Sequence, residues 1–184
     1  MLALLGEAEI DVRLGTHASV GPSGWIGLKP SEDVLESQRI VSLPALDGPR
    51  ISGLPHDKDG FVPVDEHARV LDLQDVYCVG DAANYPIKQG GLATQQADTA
   101  AWHIAALTGA RIIAMPFRPV LRGRLFTGGA ERFFVKEVRR PAGRMRDVPL
   151  WWPPTKVSGR YLTPWIGAQD PAAVPSEPVD RTEA

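Results

Sequence analysis

The chain has 184 residues, of which 43% are hydrophobic, and a formal net charge of −2, so it can bury a core and is not disordered as a whole. Cys78 is the only cysteine, which excludes a disulfide framework and a CxxC redox pair, and the four histidines lack the spacing of metal ligands. No segment approaches the about 18 apolar residues of a membrane-spanning helix, and MLALLG is too short for a signal-peptide core, so we expect a cytoplasmic protein.

The first part of the chain predicts short strands separated by turns. EIDVRLGTHASVG and WIGLK alternate apolar and polar residues on either side of a GPSG turn, which is typical of a β-hairpin. RIVSLPAL is a continuous apolar run and predicts an inner strand. The connection that follows, residues 47–74, is rich in Gly, Pro and Asp and contains one further predicted strand, FVPVD. We place a domain junction in this connection.

The middle of the chain predicts a strand, a loop and a helix. DVYCVG is a short run of β-forming residues, and Gly91 to Leu107 shows the Ala, Leu and Ile spacing of a well-packed helix. Thr108 and Gly109 then predict a glycine cap at its end. His103 lies on this helix, where we expect it to pack or to face solvent rather than to catalyse.

The C-terminal part combines positive charge with aromatic side chains. Residues 111–161 carry 12 basic and 3 acidic side chains, whereas residues 1–110 carry 7 and 15. PVLRGRLFTGGAERFFVKEV predicts a hairpin that turns at Gly128 and Gly129, and the Pro- and Trp-rich segment after it predicts one short helix around residues 156–166. From residue 169 onward the apolar surface is too small to offset the entropy of ordering, so we expect disorder there.

The junction between the predicted strand and helix has the chemistry of a ligand site. In open α/β sheets, ligands bind just outside the carboxyl ends of the strands, and Asp81 lies at that point. Its carboxylate can accept hydrogen bonds from hydroxyl groups, and Gly80 lets the backbone approach a cofactor closely. The helix start, GGLA, presents free N–H groups and a positive dipole end. These features suit a reduced flavin, whose ring gains negative charge.

The same segment carries a family resemblance. DVYCVGDAANYPIKQGGLATQQADTAA resembles the second flavin-binding motif of flavoproteins with two dinucleotide-binding domains, and DKDGFVPVDEHARVLDLQ resembles the segment before that motif. This family includes pyridine nucleotide-disulfide oxidoreductases, type II NADH dehydrogenases and sulfide:quinone oxidoreductases. The resemblance is specific from Gly53 to Leu107. RIVSLPALDGPRISGLP on one side and PFRPVLRGRLFTGGAERFF on the other are more weakly similar to the family.

The resemblance implies a set of FAD contacts. It implies that Asp81 hydrogen-bonds the ribityl chain, that Lys88 and Gln89 lie at the isoalloxazine edge, and that amides at the helix start stabilise the anionic reduced ring. Cys78 falls within the predicted strand and is therefore not a redox cysteine. We name no side chain as a catalytic acid or base. The predicted cofactor-binding residues are Gly80, Asp81, Lys88, Gln89, Gly90, Gly91 and Leu92.

The two GxGxxG fingerprints by which this family binds FAD and NAD(P)H do not occur in the sequence. We therefore expect the C-terminal portion of a longer enzyme, produced either by an internal Met taken as the start or by a truncated paralogue. The expected fold class is α/β, a partial two-dinucleotide-binding-domain fold. Its expected parts are a remnant of the NAD(P)H domain (1–50), the end of the FAD domain (51–110), a basic and aromatic region (111–168) and a disordered tail (169–184).

The resemblance implies an oxidoreductase that passes hydride from NAD(P)H through FAD to an acceptor. A quinone fits, because no cysteine relay is present. For the basic aromatic region we favour a hairpin whose arginines face solvent and whose aromatic side chains pack on the flavin domain. The alternatives are an anionic membrane surface and nucleic acid, and of these two we favour the membrane. Trp151, Trp152 and Trp165 suit a partner or homo-oligomer interface, or former core surface exposed by the loss of an N-terminal half. The alternative is a non-catalytic interaction module that retains a remnant of this fold.

Overall fold

The computed structural model describes residues 1–22, 24–43, 45–152, 154 and 159–169. Within these residues the chain has mixed α and β structure, with helices and two three-stranded antiparallel sheets. This mixture is loosely compatible with the predicted α/β class, although both described sheets are antiparallel. The chain divides into two compact units, one of Met1–Leu46 with Thr127–Gly129, the other of Asp47–Phe126 with the residues from Ala130 onward.

The first unit contains a helix and a sheet. Helix α1 (Leu2–Glu7) precedes strands β1 (His17–Val20), β2 (Trp25–Lys29) and β3 (Val34–Glu36), which pair in the order β1-β2-β3. The predicted hairpin is confirmed, with His17 opposite Lys29 and Val20 opposite Ile26. Helix α1 and strand β3 were not expected. The strand predicted from RIVSLPAL is wrong for the described residues, because Val41 and Leu43 lie in irregular chain, 79% and 93% exposed.

The second unit begins with a core made by irregular chain. Four side chains form this core, with Val62 and Ala83 at 0% exposure: Val62, Val70, Cys78 and Ala83. The strands predicted at residues 61–65 and 75–80 do not form. Single bridges join Val62 to Ala83, Val64 to Val70 and Arg69 to Tyr77.

Two aspartate side chains hydrogen-bond backbone groups of the irregular segment that forms this core. Asp57 Oδ1 accepts the backbone N–H groups of Asp59 and Phe61 at 2.9 and 3.0 Å. Asp65 Oδ1 accepts the corresponding groups two and four residues after it, at 2.8 and 2.9 Å. Aspartate side chains thus satisfy backbone groups that a strand would pair with a neighbouring strand.

A long helix and a second sheet complete this unit. Helix α2 (Gly90–Leu107) confirms the predicted helix, and Gly109 just after it has a φ of +93°. Strands β4 (Val120–Leu125) and β5 (Arg132–Glu137) form the predicted hairpin, and β6 (Arg144–Arg146) pairs with β5. In the β4–β5 register Gly123 faces Phe134, whose ring occupies the space that a Cβ at Gly123 would need.

The C-terminal region is described only in part. Helix α3 (Leu162–Gln169) overlaps the predicted short helix but begins later. Residues 155–158, in the first part of that prediction, and residues 170–184, where disorder was expected, lie outside the described residues. Among the helices that the structure describes, none has both the length and the apolar composition needed to cross a bilayer.

Candidate functional site

The turn that carries Asp81 is a single 3₁₀ turn, Gly80–Ala82, packed against the first turns of α2. Gly80 has a φ of +75°, which L side chains rarely adopt. A Cβ at this position would lie 3.3 Å from Ala93 Cβ, so the helix also restricts the space. The Gly80 N–H donates to Gln96 Oε1 at 2.7 Å, and Gln96 is 4% exposed. A buried glutamine of the helix therefore fixes the turn.

The Gln96 bond makes a testable contribution to stability. Gln96→Met keeps the length of the side chain and removes the acceptor, leaving the Gly80 N–H without its partner. We expect the free energy of unfolding to fall by about 1 to 2 kcal/mol. Urea unfolding followed by tryptophan fluorescence measures this difference. Gln74→Met, the same change at an exposed position, is the control and should alter stability by less than about 0.5 kcal/mol. Equal losses in the two variants would contradict the assignment.

Asp81 is exposed on this turn, as a residue that contacts a ligand must be. Its charge acts on Lys88, because Asp81 raises the pKa of that ammonium and so opposes the effect of burial. Asp81 and Lys88 thus interact electrostatically, and their joint role in binding a ligand stays a prediction.

Lys88 points into the irregular loop core. Its Nζ lies 3.7 Å from the centroid of the Phe61 ring and donates to the carbonyl of Ala83. Burial lowers the pKa of Lys88, and the charge of Asp81, followed by that of Asp57, opposes the shift. These contacts give Lys88 a structural role in holding the loop together, alongside the ring-edge role that the resemblance implies.

The start of α2 combines free donors with one unsatisfied acceptor. Within the described residues, the N–H groups of Gly90 and Gly91 have no backbone acceptor, as is usual for the first turn of a helix. Gln89 Nε2 donates to the carbonyl of Arg122 at 2.8 Å, whereas Gln89 Oε1 is buried and has no partner in this part of the chain.

Leu92 differs from the other residues predicted for the site. Its N–H donates to the carbonyl of Gln89 at 2.9 Å, so this amide is already engaged within the helix start. The Leu92 side chain is 1% exposed and belongs to the core. The structure thus leaves Gly90 and Gly91 as the amides free to meet a ligand.

Two glutamines connect α2 to strand β4. Gln95 Nε2 donates to the carbonyl of Val120 at 2.9 Å, and Gln95 Oε1 accepts the Val120 N–H at 3.0 Å. Gln89 makes the bond to Arg122 described above. Both contacts use the backbone of β4, so the helix that carries the candidate site is fixed to the second sheet.

A cluster of aromatic and imidazole rings was not expected from the sequence. His67 and His103 stack with their ring centroids 4.6 Å apart, and Tyr77 Oη lies 2.7 Å from His103 Nδ1. Burial raises the pKa of Tyr77, so the phenol stays protonated at neutral pH. The three residues come from separate segments, and no spacing in the sequence could have indicated their contact. His103 packs here, as expected.

Cys78 is a buried free thiol. Burial raises the pKa of Cys78, and the charge of Lys88 opposes the shift. Burial therefore favours the protonated thiol at neutral pH. That Cys78 is not a redox cysteine stays a prediction, because the strand from which it was inferred does not form. The described residues contain no group of three or more potential metal ligands.

Comparison with known proteins finds no family model and no curated protein that matches this chain.

Proposed function

We propose that the Gly80–Ala82 turn and the start of α2 bind FAD, and that the chain is the C-terminal part of an FAD-dependent NAD(P)H oxidoreductase with a partial two-dinucleotide-binding-domain fold. The observation that carries the proposal is an exposed carboxylate, Asp81, on a glycine turn fixed to a helix whose first amides are free. The resemblance of residues 53–107 to the second flavin-binding motif supports the choice of FAD over other ligands.

The hydrogen-bonding groups at the helix start complement a flavin ring. The pyrimidine edge of isoalloxazine offers carbonyl oxygens as acceptors and one N–H as donor. Gly90 and Gly91 offer N–H donors that no backbone carbonyl of the described residues accepts. These donors match the carbonyl oxygens of the ring edge. The residues present therefore fit the group.

Each residue of the site has a defined task in this proposal. When bound, FAD would supply hydride transfer from NAD(P)H to an acceptor, for which we favour a quinone because the chain has no cysteine pair. Asp81 would accept hydrogen bonds from ribityl hydroxyls. The positive end of the α2 dipole would stabilise negative charge on the ring. Lys88 keeps the loop packed through Phe61 and Ala83.

A flavin titration tests the proposal. We expect the full chain to quench FAD fluorescence on binding, and Asp81→Ala to weaken the affinity by about tenfold or more, because a charge-assisted hydrogen bond contributes about 1.5 to 3 kcal/mol. Asp47→Ala removes the same charge from an exposed position outside the site and should leave the affinity unchanged. Circular dichroism of each variant verifies that it is folded. Equal affinities for Asp81→Ala and the native chain would refute the assignment of this site.

The alternative is an interaction module without cofactor, favoured by the apolar side chains that the second unit leaves on its surface. Ile113 is 80% exposed and Phe126 64%. A well-folded chain that binds no flavin would support this alternative.

Under either proposal, the exposed Ile113 and Phe126 and the neighbouring arginines support peripheral contact with an anionic membrane. Trp165, which is 61% exposed, supports a homo-oligomer. The free buried Cys78 suits a reducing, cytoplasmic location.

A further inference from the structure

A cavity of about 450 Å³ lies at the open end of the β4–β5 hairpin. The chain enters β4 through Arg118 and Pro119 and leaves β5 through Arg139 and Arg140, and all four residues line the cavity. The Val138 N–H donates to the carbonyl of Pro119 at 3.1 Å and holds the two ends of the hairpin together. Three arginines are therefore brought to one cavity by the backbone of a regular sheet.

The residues that line the cavity carry more positive than negative charge, with three arginines and one glutamate. Arg140 Nε forms an ion pair with Glu137 Oε2 at 2.7 Å, and Glu137 is the only acid that lines the cavity. Arg118 and Arg139 are solvent-exposed and form no ion pair with an acid in the described part of the chain, so two positive charges without an acidic partner line this open cavity. Arg139 also acts on Tyr85, because its charge lowers the pKa of that phenol while burial raises it.

We propose that this cavity binds the phosphate group of an organic phosphoester, held by Arg118 and Arg139. The planar guanidinium groups match the oxygen atoms of phosphate and can bind them in bidentate fashion. The volume lies within the usual range for small-molecule sites and is larger than inorganic phosphate needs, so the ligand carries an organic group, which Pro119 and Val120 contact. Glu137 engages Arg140 in an ion pair, which leaves Arg118 and Arg139 as the guanidinium groups for the phosphate.

This site is independent of the proposed flavin site, because the two share no residue. Its ligand could be a soluble phosphorylated metabolite or the headgroup of an anionic lipid, since both present the same phosphoester. Two binding measurements on the full chain separate these sources. Isothermal titration calorimetry uses glycerol 3-phosphate as a soluble phosphomonoester. Co-sedimentation uses phosphatidylcholine vesicles with and without phosphatidic acid.

The double variant Arg118→Gln with Arg139→Gln tests the residues. We expect it to weaken binding of whichever probe binds the native chain by at least about tenfold. Arg146→Gln, combined with Arg144→Gln, removes the same charge from strand β6 of the same sheet and should leave binding within about twofold of native. Calorimetric binding identifies a soluble ligand, and sedimentation only with phosphatidic acid identifies a lipid. The proposal is overturned if the native chain binds neither probe, or if both double variants lose binding equally.

Discussion

Leu92→Ala is expected to lower the free energy of unfolding by about 3 kcal/mol, the typical cost of truncating a leucine in a packed core. Leu92 is 1% exposed and is among the largest fully buried side chains of the described residues. It lies in the first turn of α2, so the cavity left by the substitution would form directly beneath the helix start that carries Gly90 and Gly91. Urea unfolding followed by circular dichroism measures the loss.

The conservative variant Leu92→Met separates packing from any role in binding. It preserves most of the side-chain volume and should lower stability by less than about 1.5 kcal/mol. Because the Leu92 amide is engaged with Gln89, neither variant removes a group that could contact a ligand. A loss in Leu92→Ala no larger than that in Leu92→Met would show that this side chain is not part of the core.

The second large effect is expected at Gly48. Its N–H donates to the carbonyl of Asp59 at 2.8 Å, and Arg50 N–H donates to the carbonyl of Gly60, so two backbone segments lie side by side. A Cβ at Gly48 would overlap the backbone of Gly60 and Phe61. Because backbone atoms cannot move aside as a flexible side chain can, we expect Gly48→Ala to destabilise the protein by about 3 kcal/mol. Thermal and urea unfolding both measure this change.

Gly129→Ala is the matched control for this prediction. Apart from its chain neighbours, no heavy atom of the described residues lies within 4 Å of a Cβ built at Gly129, and its backbone has no left-handed φ. We expect this variant to change stability by less than about 0.5 kcal/mol. If Gly48→Ala were equally neutral, the close approach of residues 48 and 60 would not persist in solution.

The sequence predicted those elements whose pattern is local. Helix α2 has a long apolar spacing and a glycine just past its end, and the two hairpins have glycine-containing turns between alternating residues. These signals lie within each element, so they are visible without knowledge of the partner. Strand β6 is only three residues long and is defined by its pairing with β5, so its own sequence gave no comparable indication.

The predicted strands at residues 61–65 and 75–80 failed for a physical reason. Their residues favour β structure, but a strand requires a neighbour along its length, and each segment here has only isolated bridges. The aspartate turns at Asp57 and Asp65 satisfy much of the local backbone instead. The β-propensity of a residue describes only its own conformational preference. The hydrogen-bonded ladder between two strands depends on residues elsewhere in the chain.

Ligand binding at the candidate site stays a prediction, and the structure shows how its segments contact each other. The Asp81 turn and the glycine start of α2 do meet, through Gly80, Ala93 and Gln96. The sequence gave no indication that Lys88 covers the Phe61 ring. Side-chain direction depends on tertiary packing, and spacing along the chain does not encode it.

Gln95 of α2 and Gln89, which immediately precedes the helix, affect how the protein behaves at high concentration. Strand β4 lies at the edge of its sheet, where unpaired backbone groups would ordinarily invite a strand from another molecule. Gln95 satisfies both backbone groups of Val120, and Gln89 satisfies the carbonyl of Arg122. A helix side chain thus takes the place of a neighbouring strand, and intermolecular β-pairing at this edge would first require α2 to detach. The same contacts that hold α2 against the sheet therefore protect its β4 edge from intermolecular β-pairing.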